Sequence, residues 1–373
     1  MQQITVSDVR SRNAREVFDT LAAAGPCTRL DVARATSLSV VTVSSLIDAL
    51  VEQGLVRERK DDRAVVGRRP KLVELVPESR FILAIDLATR EFSAVEFGFD
   101  LSVRQRHAHV LDGHLDYEGN LRAFVRHLAA ECRESLANGR LIGVGVSTCA
   151  IYQASEDRSV CSFIPELESL RLGALFAELL PGVTTVIDKD VLFAAEAVLR
   201  GLEPSERGSV FYAFVGEGVG GALALGGAIV RGASNFAGEF GLVRDRDGRT
   251  VGELVGWHLV REEAQRRGLD PVAAWQAREA WLETLMDGIL SELAVALANL
   301  AWTLNPALII LEGPYCAFGE RFRRQLDERI KSRLVTELAA TLELRLAAPE
   351  VGDALSGAAG AVRTQWLGGL VSS

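Results

Sequence analysis

Residues 28–54, TRLDVARATSLSVVTVSSLIDALVEQG, constrain the chain most, because they fit two short helices joined by a tight turn. Thr28 can cap a helix through Asp31, Val32 and Ala33, its hydroxyl accepting from the unpaired amides of the first turn. Ser39 can cap a second helix after the turn Thr36-Ser37-Leu38. Val43, Ile47 and Leu50 then recur at helical spacing with Leu46 beside them, which defines a buried face. Val40, Val41, Thr42, Ser44 and Ser45 are left outward at the start of that helix. In a helix-turn-helix, this N-terminal end of the second helix meets base edges and phosphates.

The flanking sequence completes such a unit. Val17, Phe18 and Leu21 place a helix over residues 13–24, and residues 55–59 and 71–75 alternate apolar and polar positions as a hairpin with its tip at 60–70. Arg68 and Arg69 sit at the base of that tip, held extended by Pro70, where two arginines can enter a minor groove. Arg29, Thr42 and Ser44 are candidates for phosphates. Val40, Val41 and Ser45 are candidates for base edges and thymine methyls. Charge follows the same division. Residues 1–80 carry 13 Lys and Arg against 11 Asp and Glu, whereas residues 81–373 carry 28 against 39, within a net charge of -9.

At 373 residues and 48% hydrophobic, the chain can bury two or three domain cores. No basic-then-apolar leader precedes Thr5, and the apolar run 294–311 is broken by Asn299, Asn305 and Pro306, so a soluble cytoplasmic protein with no membrane partner is expected. Cys27, Cys132, Cys149, Cys161 and Cys316 are scattered without C-x-x-C spacing, which speaks for reduced thiols.

From residue 81 strands and helices alternate, as in an α/β domain. Residues 81–86 read as a buried strand ending in an acid, 91–99 and 103–110 as two more, and 121–136 as a helix. Residues 141–147 and 183–187 read as strands, the latter leading into a helix over 190–199. A second unit begins at the strand 210–215, continues through a glycine-rich turn at 216–221 and a strand 222–225, and contains helices over 255–268 and 271–303 and a strand 307–311. Gly352, Gly357 and Gly360 close the chain. The expected domains are 1–78, 79–200 and 201–373.

A winged helix-turn-helix ending in Gly67-Arg68-Arg69-Pro70 and followed by this α/β module resembles the transcriptional regulators of the ROK family (repressors, open reading frames and sugar kinases). The resemblance also rests on Thr28-Arg29, Leu38-Ser39, Thr42-Val43-Ser44, Gly218 to Gly221, Arg231-Gly232-Ala233, Ala237-Gly238-Glu239-Phe240-Gly241 and Gly352-Asp353 with Gly357-Ala358-Ala359. It implies a two-lobed actin-like (RNase H-like) α/β module. It further implies a homodimer on a pseudo-palindromic duplex operator, and a sugar or sugar-derived effector in the interlobe cleft, linked to carbohydrate metabolism.

Family kinases use an Asp-x-Gly-Gly-Thr loop to present backbone amides to nucleotide phosphates; here it reads Asp86-Leu87-Ala88-Thr89-Arg90. Asp188, with Glu196 eight residues on, fits the register of the family's general base, preceded by Ile187 in place of asparagine. Leu242 stands where the family's zinc-binding histidine belongs, residues 243–252 contain no cysteine, and Glu312-Gly313 replaces a Gly-Gly pair. No metal, no cofactor and no kinase activity are therefore expected. Asp188, Glu239 and Glu253 are the candidate effector contacts. The reading is a repressor; the alternatives are a residual ATP-dependent ROK-type sugar kinase and an effector-independent regulator with a degenerate pocket.

Overall fold

The computed structural model describes residues 6–60, 71–89, 91–161, 163–347 and 353–372. Arg68, Arg69, Arg90 and Gly352 lie outside the described residues. The chain forms two compact units, residues 1–189 with 358–373, and residues 190–357.

The first unit opens with three helices, α1 (Val6–Ala24), α2 (Arg29–Thr36) and α3 (Val40–Glu52), and an antiparallel hairpin of β1 (Val56–Lys60) and β2 (Lys71–Leu75). The periodicity anticipates all five, although α1 begins seven residues before the expected start at 13. Val17, Phe18, Leu21, Val32, Val43, Ile47, Leu55 and Val73 are fully or almost fully buried and make this part's core. Its α/β part is a five-stranded sheet in the order Val103–Ala108, Ser93–Gly98, Phe81–Leu87, Leu141–Thr148, Thr185–Lys189. The first two pairings are antiparallel and the last two parallel. Helices Tyr117–Glu131 and Leu172–Leu179 cover one face through Phe124 and Phe176.

The C-terminal helix Ala354–Ser372 begins in the second unit and runs into the first. Of the glycines read as closing signals, Gly357 and Gly360 lie inside it, and small residues let it lie on strand Leu141–Thr148. A Cβ on Gly145 would sit 2.8 Å from that of Ala358. Arg363, on the same helix, lies under α1. Its guanidinium is 4.7 Å from the Phe18 ring centroid and donates to Asp19 and to the Phe99 carbonyl. Phe18 meets Phe99 edge to face. The helical part and the α/β part of the first unit therefore share one packed seam.

The second unit repeats the strand order: Ala228–Val230, Val219–Leu225, Ser209–Val215, Leu308–Glu312, Glu343–Leu346, again two antiparallel pairings followed by two parallel ones. One sheet face packs on the long helix Ala280–Leu304 and on Gly319–Lys331, the other on Asp190–Gly201. The expected helix 255–268 begins only at His258, after Gly256 ends a short helix Val251–Val255, and the expected helix 271–303 is broken at Arg278, at φ 57°, which separates Pro271–Gln276 from the long helix. Of the glycine-rich turn, residues 219–221 belong to a strand, since backbone must approach there: a Cβ on Gly241 would lie 2.0 Å from the Val219 carbonyl oxygen. The long helix is the one single helix among the described residues long and apolar enough to cross a membrane, and its inward side is core of this unit.

Candidate functional site

Local hydrogen bonds fix the helix pair. Thr28 accepts from the Asp31 amide at 3.2 Å while the Asp31 carboxylate accepts from the Thr28 amide at 3.0 Å, a reciprocal cap of α2 that also holds the Asp31 carboxyl below its usual range. Ser37 ends α2 in the left-handed conformation at φ 57°, and Ser39 caps α3 by accepting from the Thr42 amide at 3.1 Å. The two axes bend by 119° across this turn, within the range of DNA-binding helix pairs.

At the start of α3, Val41 is 80% and Val40 48% exposed, and Ser45 is exposed a turn later. Thr42 and Ser44 are half-buried, and the Thr42 hydroxyl lies 2.8 Å from that of Ser39. Arg29 has partners inside the domain that its sequence position does not reveal. Its guanidinium donates to Glu58 on β1 at 2.8 Å, to the Ser44 carbonyl at 3.1 Å and to Asp48 on α3. It ties α2, α3 and the hairpin together, and the bond to Asp48 lowers that carboxyl's pKa. On the hairpin, Arg57 and Arg59 both bond Glu74, and Lys71 bonds Glu58 at 2.7 Å. Arg34, near the C-terminal end of α2, has a side chain 72% exposed and is a cation on this surface that helical periodicity alone does not single out.

The three candidate effector residues differ in what holds them. Asp188 ends strand Thr185–Lys189, is only 4% exposed, and accepts from the Lys189 amide at 2.9 Å. It lies opposite Ser147 in the parallel register. A cavity of about 430 Å³ in this unit is lined by Tyr152, Gly173, Thr185, Ile187 and Gln365, and Asp188 is not among its lining residues. Glu239, in the second unit, is half-buried at the head of the turn Phe240–Leu242. Glu253 is occupied structurally. It closes a capping box with Thr250, accepting from the Thr250 amide at 2.6 Å, and that bond lowers its pKa.

The phosphate-loop position is closed on itself. Asp86 accepts from the Ala88 amide at 2.8 Å, and the Thr89 hydroxyl donates to the Glu91 carbonyl at 2.8 Å. In the second unit, Glu312 ends its strand beside Tyr212. Burial raises its carboxyl's pKa and the neighbouring Asp353 adds to the rise.

The family's zinc does not fit here. Leu242 offers no ligand and is 47% exposed. In the following loop Asp245 does the closing instead, accepting from the Asp247 and Arg249 amides at 2.8 and 2.9 Å and from the Arg249 guanidinium at 2.9 and 3.0 Å. Among the described residues, no group of three or more His, Cys, Asp and Glu is placed to hold a metal.

No protein-family model matches the chain. The chain is 22% identical over 335 residues to a xylose repressor of Caldicellulosiruptor bescii, across 82% of this chain and 84% of the relative. A solved ROK family transcriptional regulator, described as a homolog of the E. coli MLC protein, matches with a TM-score of 0.76 over 98% of this chain and 100% of its own, at 14% identity. A ROK hexokinase from Thermus thermophilus matches with a TM-score of 0.60 over 75% of this chain and 96% of its own, at 19% identity.

Proposed function

We propose, from the premise that the chain has the fold of the ROK family and resembles its regulators over most of its length, that it is a transcriptional repressor. The domain at 1–78 is read as a winged helix-turn-helix that binds duplex DNA. The observation that carries this reading is the capped, 119° helix pair with Val40, Val41 and Ser45 uncovered at the head of α3. Short apolar and hydroxyl side chains suit thymine methyls and base edges; Thr42, Ser44 and Arg34 suit phosphates. Arg29 acts in this reading as a positioning residue, setting the angle at which α3 is presented. Arg68 and Arg69 are assigned to the minor groove by their sequence alone. A protein with this task works in the cytoplasm and as a homodimer on two half-sites.

The xylose repressors and the fold support a sugar or sugar-derived effector, with Asp188 and Glu239 as its hydroxyl acceptors and Glu253 as a cap that shapes the neighbouring loop. Effector and operator then change each other's affinity by the same factor. A sugar kinase is the second reading, favoured by the hexokinase likeness. The Asp86 turn weighs against it, since phosphoryl transfer depends on positioned phosphate contacts.

The test is selection of genomic fragments by the full-length protein at physiological salt, followed by sequencing. The expected outcome is a pseudo-palindrome with half-sites about 10 base pairs apart. Val41→Asp should then bind the selected fragment about 100-fold more weakly, roughly 2.7 kcal/mol, with an unchanged melting temperature. Retention without a shared motif, or full affinity in Val41→Asp, would remove the helix as reader. ADP release with any sugar of a hexose and pentose panel would bring back the kinase.

A further inference from the structure

The sheet of the first unit has two edge strands, and they differ. Val103–Ala108 carries Arg104 and Arg106, both exposed, whose charges guard its free backbone against stray pairing. The opposite edge strand, Thr185–Lys189, presents Thr185, Val186 and Ile187 with neither charge nor proline. In its parallel register Val144 pairs with Thr185 and donates to the Thr184 carbonyl, so the N–H and C=O of Thr185, and of Ile187 two residues on, point away from the sheet. Neither residue makes a backbone hydrogen bond on that outer side among the described residues.

The cavity of about 430 Å³ lies along this open edge. Val186 pairs with Gly145 and so faces the C-terminal helix, whose Gln365 lines the cavity. Thr185 and Ile187 face the other way, toward helix Leu172–Leu179, whose Gly173 and Ala177 line it. The cavity therefore spans the strand's edge from one sheet face to the other, with small residues leaving the room. No charged side chain lines it, and the Tyr152 hydroxyl there donates to Asp157 at 2.8 Å. A charged ligand would lose its hydration in this place without gaining a counter-charge, and an apolar one would leave the donors and acceptors of Thr185 and Ile187 unpaired. An extended peptide supplies what the edge lacks: N–H and C=O groups on one side, recurring about 6.6 Å apart, the spacing of Thr185 and Ile187.

We infer that the outer edge of strand Thr185–Lys189 is a docking site for an extended, uncharged peptide segment of a partner protein, which adds a strand to the five-stranded sheet of the first unit. The segment's side chains are small or β-branched where they meet Gly173 and Ala177. The inference goes beyond the DNA-binding reading and does not depend on it.

Selection of random phage-displayed peptides of about seven residues, an ordinary strand length, against the full chain tests it. The enriched peptides should carry uncharged β-branched or small residues at alternate positions, and should bind as end-blocked synthetic peptides in fluorescence polarisation. Ala177→Gln, an exposed helix position where a longer side chain fills the groove, should weaken them at least about 30-fold with an unchanged melting temperature. N-methylation of alternate peptide amides should weaken binding about 30-fold in the register that faces the strand, the loss of two hydrogen bonds, and leave it intact in the other. Absence of enrichment, full affinity in Ala177→Gln, or equal losses in the two N-methylation registers would overturn the inference. A wild type that sediments as a larger assembly, dissociated by Ala177→Gln, would make the edge a contact between copies and equally overturn it. Operator selection by Ala177→Gln should match the wild type, so failure here leaves the DNA-binding reading standing.

Discussion

The two α/β sheets have the same strand order and the same sequence of antiparallel and parallel pairings, yet they are finished differently. The first is covered by small residues of the C-terminal helix, Ala358 and Val362 above Gly145 and Gly143. The second is locked backbone to backbone at Gly241 over Val219 and Gly238 over Gly221. Their ends differ too: the first sheet's strand Phe81–Leu87 closes on Asp86, whereas a strand of the second ends in the half-buried acid Glu312. A repeated topology therefore fixes where loops emerge, and the residues in those loops decide what chemistry is available.

The largest effect should come from Gly241→Ala. Its new Cβ would meet the Val219 carbonyl oxygen, which cannot swing aside, so we expect a loss on the order of 4 kcal/mol and a melting transition lowered by about 10 °C. Gly98→Ala in the first sheet meets a side-chain atom instead, the Asp100 carboxylate at 2.8 Å, which can turn away at the cost of its bonds from Ser102, and should cost less. Hydrogen exchange should show lost protection confined to residues 190–357 in the first variant; equal effects in the two would erase the contrast between the sheets.

Arg363→Ala tests the seam of the first unit. It removes the cation packed on Phe18 and leaves Asp19 without that partner, at a cost of about 2–3 kcal/mol, discounted because Asp19 is partly exposed. Operator affinity should fall with it, because α1 supports α2 and α3. A variant with lowered stability and unchanged operator affinity would separate the seam from DNA recognition.

The smallest effect belongs to Glu312. Its carboxyl pKa is raised on folding, chiefly by burial, so the folded chain holds that proton more tightly than the unfolded chain. The stabilisation from protonation is present below the ordinary glutamate range and is lost as pH rises through the raised value. Glu312→Gln should thus raise the melting temperature at pH 7 by about 2 °C and narrow the difference between pH 5 and pH 7. An unaltered pH profile would count against a buried acid there.

Much of the fold is legible locally. Caps at Thr28 and Ser39, the hairpin of β1 and β2, and the strand Phe81–Leu87 need only neighbouring residues, because hydroxyl spacing and side-chain alternation act over a few positions. The candidate site is less legible. Arg29 and Glu253 look available in sequence, but Arg29 meets Glu58, 29 residues away, and Glu253 is used by the cap at Thr250. The helix Tyr117–Glu131 stops at Cys132 and the helix expected over 271–303 breaks at Arg278, where an uninterrupted apolar period suggests continuity.

By itself the sequence determined most element types up to residue 311, the helix pair with its outward residues, and the loss of zinc ligands and phosphate-loop glycines, all properties of residue identity and short spacing. Tertiary structure alone decided that residues 358–373 rejoin the first unit, that its C-terminal helix packs against α1 through Arg363, and that a cavity lies along the edge of strand Thr185–Lys189. These depend on contacts between residues far apart in the chain, which leave no period in the sequence to read.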